Sequence, residues 1–376
     1  MHAFGVYVHI PFCTHRCGYC DFATWTDRAH LVDEYVDACV TDLDRRRPYP
    51  AASSVFFGGG TPSLLAPAQL ARVLDAIECA PGAEVTVECN PDSVDEAKLA
   101  AYRAAGVNRL SFGVQSFAPH VLRALDRTHD RANVARAVTA ARAAGFERIS
   151  LDLIYGTPGE TVADWRATVQ EALGLGVGHL SAYALTVEPG TPLGRRVAAG
   201  ETPAPDDDDQ AAKYGVVDDL ARAAGLDWYE ISNWARAGDE CRHNLLYWEQ
   251  GDYLAIGCAA HGHTAGRRWW NVRTPERYVE RIRSGASPEA GAEVLDRDAR
   301  AAEAITLALR TRAGSDVVLV AELAHAGLAE ADPATGRVVL TRAGRLLASD
   351  VTARLLVARE ARRRRPAPLA LDTIEC

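Results

Sequence analysis

Three cysteines, Cys13, Cys17 and Cys20, stand in a CxxxCxxC set within YVHIPFCTHRCGYCDF, residues 7–22. Three thiolates so close in a loop can turn inward on a single centre. Sulfur sets of this kind favour zinc or an iron–sulfur cluster. A structural zinc site closes with four ligands, and no fourth cysteine follows: Asp21 and Phe22 come next. His9 or His15 could complete a zinc site, so zinc stays open beside a cluster with one iron uncovered and beside cysteines that serve only packing.

The cysteines follow a short apolar run, and the first half of the chain repeats that rhythm. Strands are expected at Gly5–Ile10, Ser54–Phe57, Glu84–Glu88, Arg109–Gly113, Ile149–Tyr155 and His179–Ala184. Each is rich in Val, Ile, Phe or Tyr and bounded by Gly, Pro or Asn. Helical spacing lies between them at Leu31–Arg46, Pro67–Glu78, Val94–Ala105, Arg131–Ala144 and Thr161–Leu173. Strand–helix alternation implies a parallel sheet with crossover helices. Six units suit a doubly wound sheet or an open, partial barrel. Polar residues gather where strands end: the Gly58-Gly59-Gly60-Thr61-Pro62 run, Glu88, Gln115, Arg127 and Asp152. Alone, each reads as a turn, cap or surface residue. The Gly run is not a nucleotide P-loop, because no Gly-Lys-Ser/Thr follows it.

The rhythm breaks near residue 190. Four prolines lead to Asp206–Asp209, read as the solvated N-terminus of a helix that runs to Ala224. Trp228–Tyr278 is aromatic-rich, holds five of the seven Trp, and reads as loop-rich. Ser284–Gly291 reads as a boundary. Beyond it, GRVVLTRAGRLLASDVTARLL suggests a short strand pair feeding a last helix. Arg362–Arg365 reads as a frayed tail. The expected divisions are therefore 1–200, 201–285 and 286–376.

Composition narrows the classes. Apolar residues make up 48% and charged residues 24% of the 376, which excludes a disordered or fibrous chain. Asp and Glu number 50 against 41 Lys and Arg, a net charge of −9, which argues against a general nucleic-acid binder. No stretch reaches the roughly 20 apolar residues of a membrane span, and the start shows no secretory leader. A cytoplasmic protein with reduced thiols is expected, with peripheral membrane association compatible.

The cysteine set after a first strand, with Tyr19 between its last two members, resembles the radical S-adenosylmethionine superfamily. Within it, motifs spread along the whole chain resemble the oxygen-independent coproporphyrinogen III oxidase (HemN) family and its haem chaperone (HemW) branch. The resemblance implies a partial (β/α)6 TIM-like barrel followed by a winged-helix-like α+β module. It implies that Cys13, Cys17 and Cys20 hold three irons of a [4Fe-4S] cluster, the fourth iron binding S-adenosylmethionine. An electron from the cluster could then cleave the sulfonium, the cofactor carrying the chemistry. Tyr7, Gly59, Gly60, Thr61, Glu88, Gln115, Arg127 and Asp152 resemble the S-adenosylmethionine contacts, Arg127 suiting the carboxylate through its planar fork.

Two features point to the chaperone branch. The oxidases carry a further cysteine two residues after the third, where this chain has Phe22, and an extension before the first strand, for which the position of Cys13 leaves no room. The HNLLYW segment, His243–Trp248, resembles the branch's haem-binding motif: His243 as an axial ligand, Tyr247 and Trp248 flanking the macrocycle. His261 and His263 are further candidates. The family's usual GAHS reads AAHGH here. The expected function is haem binding and transfer to an acceptor, such as a membrane respiratory haem protein, with no oxidase activity, S-adenosylmethionine serving as ligand or gate, and a homodimer as a compatible assembly. The alternative is radical decarboxylation of coproporphyrinogen III.

Overall fold

The computed structural model describes residues 3–363; of the basic run, Arg364 and Arg365 and the side chains of Arg362 and Arg363 lie outside the described residues. Two compact units meet in sequence between Leu295 and Asp296. The first is built on one 12-stranded sheet. Six strands follow one another in parallel: β1 (Phe4–Ile10), β2 (Ala52–Gly59), β3 (Cys79–Cys89), β4 (Arg109–Gln115), β5 (Arg148–Tyr155) and β6 (His179–Ala184). These contain all six expected strands, extended by up to a few residues. Helices at Val32–Arg45, Pro67–Asp75, Glu96–Ala104, Arg131–Ala143 and Val162–Gly174 occupy the expected crossovers.

The strands are apolar almost throughout because helices cover a parallel sheet. β5, for example, buries Ile149, Ser150, Leu151, Leu153, Ile154 and Tyr155. Strand β1 pairs with β2 on one side and not with β6, so the six units do not close. They are nevertheless curved. Residues from the ends of all six strands line one cavity, whereas a flat sheet would spread them over roughly 24 Å at about 4.8 Å per strand. This is an open, partial barrel.

The aromatic-rich block is not loop-rich. It holds β7 (Asp227–Glu230), β8 (Asn233–Ala235), β9 (Asp252–Ile256), β10 (His261–Thr264) and β11 (Arg267–Asn271), with helices at Arg242–Trp248 and Pro275–Arg283. β9 lies parallel to β1, and β8 lies antiparallel to β6, so the block extends both edges of the sheet. Its strands are only three to five residues long, too short for a period to show; β7–β8 and β10–β11 are local antiparallel pairs, while β8 and β9 also reach the distant β6 and β1. The expected boundary at Ser284–Gly291 gives way to β12 (Glu289–Val294), which pairs with β11. The division foreseen near residue 200 has no counterpart, since the segment beyond it completes the same sheet.

Asp206 caps the helix Asp207–Ala223 by accepting from the Asp209 N–H at 2.8 Å. Only part of the acidic run is solvated: Asp209 pairs at 2.6 Å with the buried Lys213, which also meets Glu160 at 3.2 Å. The second unit contains helices Arg297–Ala308 and Ala321–His325, an antiparallel pair β13 (Ala329–Ala331) and β14 (Val338–Leu340), and helices Arg342–Leu346 and Ala348–Arg363. The foreseen strand pair and last helix are both present. Among the described residues, no helix is long and apolar enough to cross a membrane.

Candidate cofactor cavity

The C-terminal ends of β1 to β6 enclose a cavity of about 520 Å³, within the usual range for small-molecule sites. Cys13, Cys17 and Cys20 stand on its wall with Tyr7, Gly59, Gly60, Thr61, Glu88, Gln115, Arg127 and Asp152. A linear set of expected residues is thus gathered at one end of one sheet.

The cysteine loop leaves β1 and is pinned on both sides. Cys13 N–H donates to the Trp25 carbonyl at 3.0 Å, and Trp25 N–H donates to that of Pro11 at 2.8 Å. The Gly60 and Thr61 N–H groups donate to the carbonyls of Ile10 and Phe12, both at 2.8 Å. This close approach explains a glycine at 60: a Cβ there would lie 2.7 Å from the Phe12 oxygen, 2.9 Å from the Ile10 oxygen and 3.1 Å from Cys13 Sγ. Gly59 has a φ of 110°, and a Cβ would enter the His9 ring. Thr61 Oγ1 donates to Cys13 Sγ at 3.5 Å. The loop glycines therefore set where the thiols stand.

Two carboxyl groups, Glu88 on β3 and Asp152 on β5, line the same cavity. Glu88 accepts from the Gly59 N–H at 3.1 Å. Burial first, and the neighbouring Asp152 second, push its carboxyl up to about 7. Asp152 accepts from Ser111 Oγ at 2.9 and 3.0 Å and from Ser150 Oγ at 3.2 Å; burial raises its pKa against those bonds. Such a pair suits a ligand that brings positive charge or hydroxyl donors. Arg127 bonds the Gly113 carbonyl at 2.6 Å and approaches Cys17 Sγ at 3.5 Å. Its Nε is buried without a partner. Gln115 ends β4 at a register shift with a φ of 66°, a conformation costly for a residue with a side chain and found preferentially at ligand sites.

These features fit the pair of groups that the resemblance implies. The donor set on the loop is three thiols; Cys89, which also lines the cavity, stands apart on β3, so a [4Fe-4S] cluster held by the loop would keep one corner for another ligand. The buried guanidinium carries an unused donor suited to a carboxylate. The zinc reading fits less well. His9 is buried and fully engaged, accepting from Tyr7 Oη at 3.1 Å and donating from Nε2 to the Ala23 carbonyl at 2.9 Å.

The HNLLYW segment forms the helix Arg242–Trp248. Its N-terminus is held by Glu84, which accepts from the N–H groups of Arg242 and His243, both at 3.2 Å, and pairs with Arg148 at 2.8 Å. Burial works against the Glu84 charge, but Arg109, Arg148 and these N–H groups win and lower its pKa. The helix sends Tyr247 to the cavity wall, together with Asn244, which the sequence reading missed. Residues three apart share a helix face, so HNxxY spacing itself contained the signal for Asn244.

His243 and Trp248 are not on that wall. His243 is 0% exposed. Its Nδ1 is paired with Ser54 Oγ at 2.9 Å and its Nε2 with Tyr247 Oη at 2.8 Å, and burial pushes its pKa down to about 4. His263 is buried against the Gly251 carbonyl at 2.9 Å, and His261 stacks on Trp270. Other wall residues missed by the sequence reading include Arg109, Ser111, Ser181 and Tyr183. They carry no motif and are gathered only by the curvature.

Comparisons with known proteins agree with this architecture. Residues 7–172 match the Radical SAM superfamily. Heme chaperone HemW of Mycobacterium tuberculosis is 46% identical over 370 residues, covering 94% of this chain and 95% of that protein. Those of Bacillus subtilis and Escherichia coli are 37% and 38% identical, covering 82% and 68% of this chain and 83% and 69% of their own lengths. The solved structure of coproporphyrinogen III oxidase (HemN) from Escherichia coli, described as a radical SAM enzyme, gives a TM-score of 0.81 at 24% identity and covers 94% of this chain and 89% of that one. It shares the fold, a partial radical-SAM α/β barrel. On near full-length likeness at up to 46% identity, the chain belongs to the HemW branch of the radical SAM superfamily.

Proposed function

We propose that this protein is a haem chaperone that carries a [4Fe-4S] cluster and S-adenosylmethionine, binds haem and delivers it to an acceptor protein. The observation that carries the reading is the shared cavity: the three-cysteine loop and the HNLLYW helix open on the same space. Cys13, Cys17 and Cys20 would hold the cluster, which when bound supplies single electrons and an open iron corner. Arg127 would take the ligand's carboxylate, Glu88 and Asp152 its ammonium or ribose hydroxyls, and Gly59, Gly60, Thr61, Gln115 and Tyr7 would shape the walls. Haem would lie toward Tyr7, Phe56 and Tyr247, where the wall is aromatic. The acceptor in this reading is a membrane respiratory haem protein, met at the membrane surface by a cytoplasmic chaperone. The helix–hairpin–helix order of the second unit supports a winged-helix-like module, and a homodimer is the assembly proposed.

The oxidase reading is less well supported. Phe22, at 65% exposed, stands at the mouth of the cavity where a fourth cysteine would be needed, and the named relatives are chaperones. Haem titration of the anaerobically reconstituted protein should give a saturable Soret shift. Incubation with coproporphyrinogen III, S-adenosylmethionine and a reductant should give no protoporphyrinogen. Protoporphyrinogen formation without haem binding would reverse the assignment.

A further inference from the structure

We propose that Tyr247, rather than His243, is the side chain that ligates the iron of haem, with His243 as its hydrogen-bond partner. The inference rests on the haem-binding reading above and names its ligand atom.

Geometry separates the two residues. His243 has no exposed surface, and both of its ring nitrogens are engaged. Phe56 stacks on its ring at 5.4 Å, and a Cβ on Gly5 would lie 3.0 Å from its Cε1. Using His243 as a ligand would break both nitrogen bonds and unpack this aromatic cluster. Tyr247 lies one turn later, lines the cavity, and bonds His243 Nε2 through its own oxygen. Tyr7 and Phe56, stacked at 6.3 Å, continue the same wall and offer apolar faces to a flat macrocycle.

The chemistry follows from that pairing. Tyrosine oxygen is an established type of haem iron ligand. In the tautomer with Ser54 Oγ–H donated to Nδ1, His243 Nε2–H donates to the Tyr247 oxygen and orients it. As the bond from Tyr247 oxygen to ferric iron forms, the phenolic O–H bond breaks and its proton leaves to solvent; no electron is transferred, and His243, which burial keeps neutral, stays beside the ligand oxygen. Glu84 fixes the turn that carries the pair, its carboxylate accepting the His243 backbone N–H at 3.2 Å. His243 is thus a positioning residue, and the four-residue spacing places the pair on one helix face.

The test is resonance Raman and electronic spectroscopy of the full chain loaded with one equivalent of ferric haem. The intact protein should show iron–phenolate bands. Tyr247→Phe, which keeps the ring and its packing, should lose them and retain haem at least tenfold more weakly. His243→Gln should keep them at shifted frequency. A protein that binds haem without phenolate bands, or a Tyr247→Phe variant with unchanged spectrum and affinity, overturns the ligand assignment and leaves the chaperone reading standing. A protein that does not bind haem at all overturns both.

Discussion

Glu88 and Asp152 line the same cavity, and the charge of Asp152 adds to burial in opposing that of Glu88. Glu88, pushed up to about 7, is protonated in the folded protein over a range where the unfolded chain, titrating near pH 4.5, has lost the proton. Stability is therefore expected to fall as pH rises from about 4.5 to about 7 and to level off above, by at most about 3 kcal/mol for such a shift. Glu88→Gln should flatten that slope, as melting temperatures of the cofactor-free protein across pH would show. Arg127 brings to the same cavity a buried Nε that has no partner. Arg127→Ala should weaken S-adenosylmethionine binding by about tenfold to a hundredfold, the scale of a charge-assisted hydrogen bond, with the cluster chromophore retained. Calorimetry separates this from general loss of structure.

At the scale of elements, two junctions hold the cavity together. Gly60 lets the second loop touch the cysteine loop, and Gly60→Ala should shift Cys13, weaken cluster retention and cost about 1–3 kcal/mol as an overpacked contact. Glu84 joins β3 to the helix Arg242–Trp248 and to the guanidinium of Arg148. Glu84→Ala would leave Arg109, 2% exposed, without its nearest carboxylate, a loss on the order of 3–5 kcal/mol, measurable by denaturant unfolding. Much of this scaffold was readable from sequence. β1 to β6 and their helices announce themselves because each buries a full apolar run between turn residues. β7 to β11 read as loop because each is only three to five residues long, although β7–β8 and β10–β11 are local antiparallel pairs. The cavity residues could be placed at strand ends individually. What joined them was the curvature of the sheet, which no local pattern encodes. For the same reason His243 was read as an open ligand: its spacing to Tyr247 is local, whereas its burial depends on Ser54 and Phe56 of β2.

At the scale of the whole molecule, one cavity of about 520 Å³ faces two proposed guests. Small-molecule sites of this size enclose one compact ligand. Saturating S-adenosylmethionine should therefore weaken haem binding, and haem should weaken S-adenosylmethionine binding by the same factor, because coupling between two sites is reciprocal. Competition titrations followed at the Soret band would show it, and independent binding would mean that haem sits elsewhere. This exclusion gives S-adenosylmethionine a role as ligand or gate without requiring its cleavage.

Every part of the account depends on the three-cysteine loop holding a cluster with one uncovered iron. Mössbauer spectroscopy of iron-57-labelled protein, reconstituted without oxygen, tests this most directly. The account predicts a [4Fe-4S] spectrum in which one iron of the four changes on addition of S-adenosylmethionine, and loss of that spectrum in Cys17→Ser. Protein with intact thiols that takes up zinc instead, or a cluster whose four irons ignore S-adenosylmethionine, would contradict it.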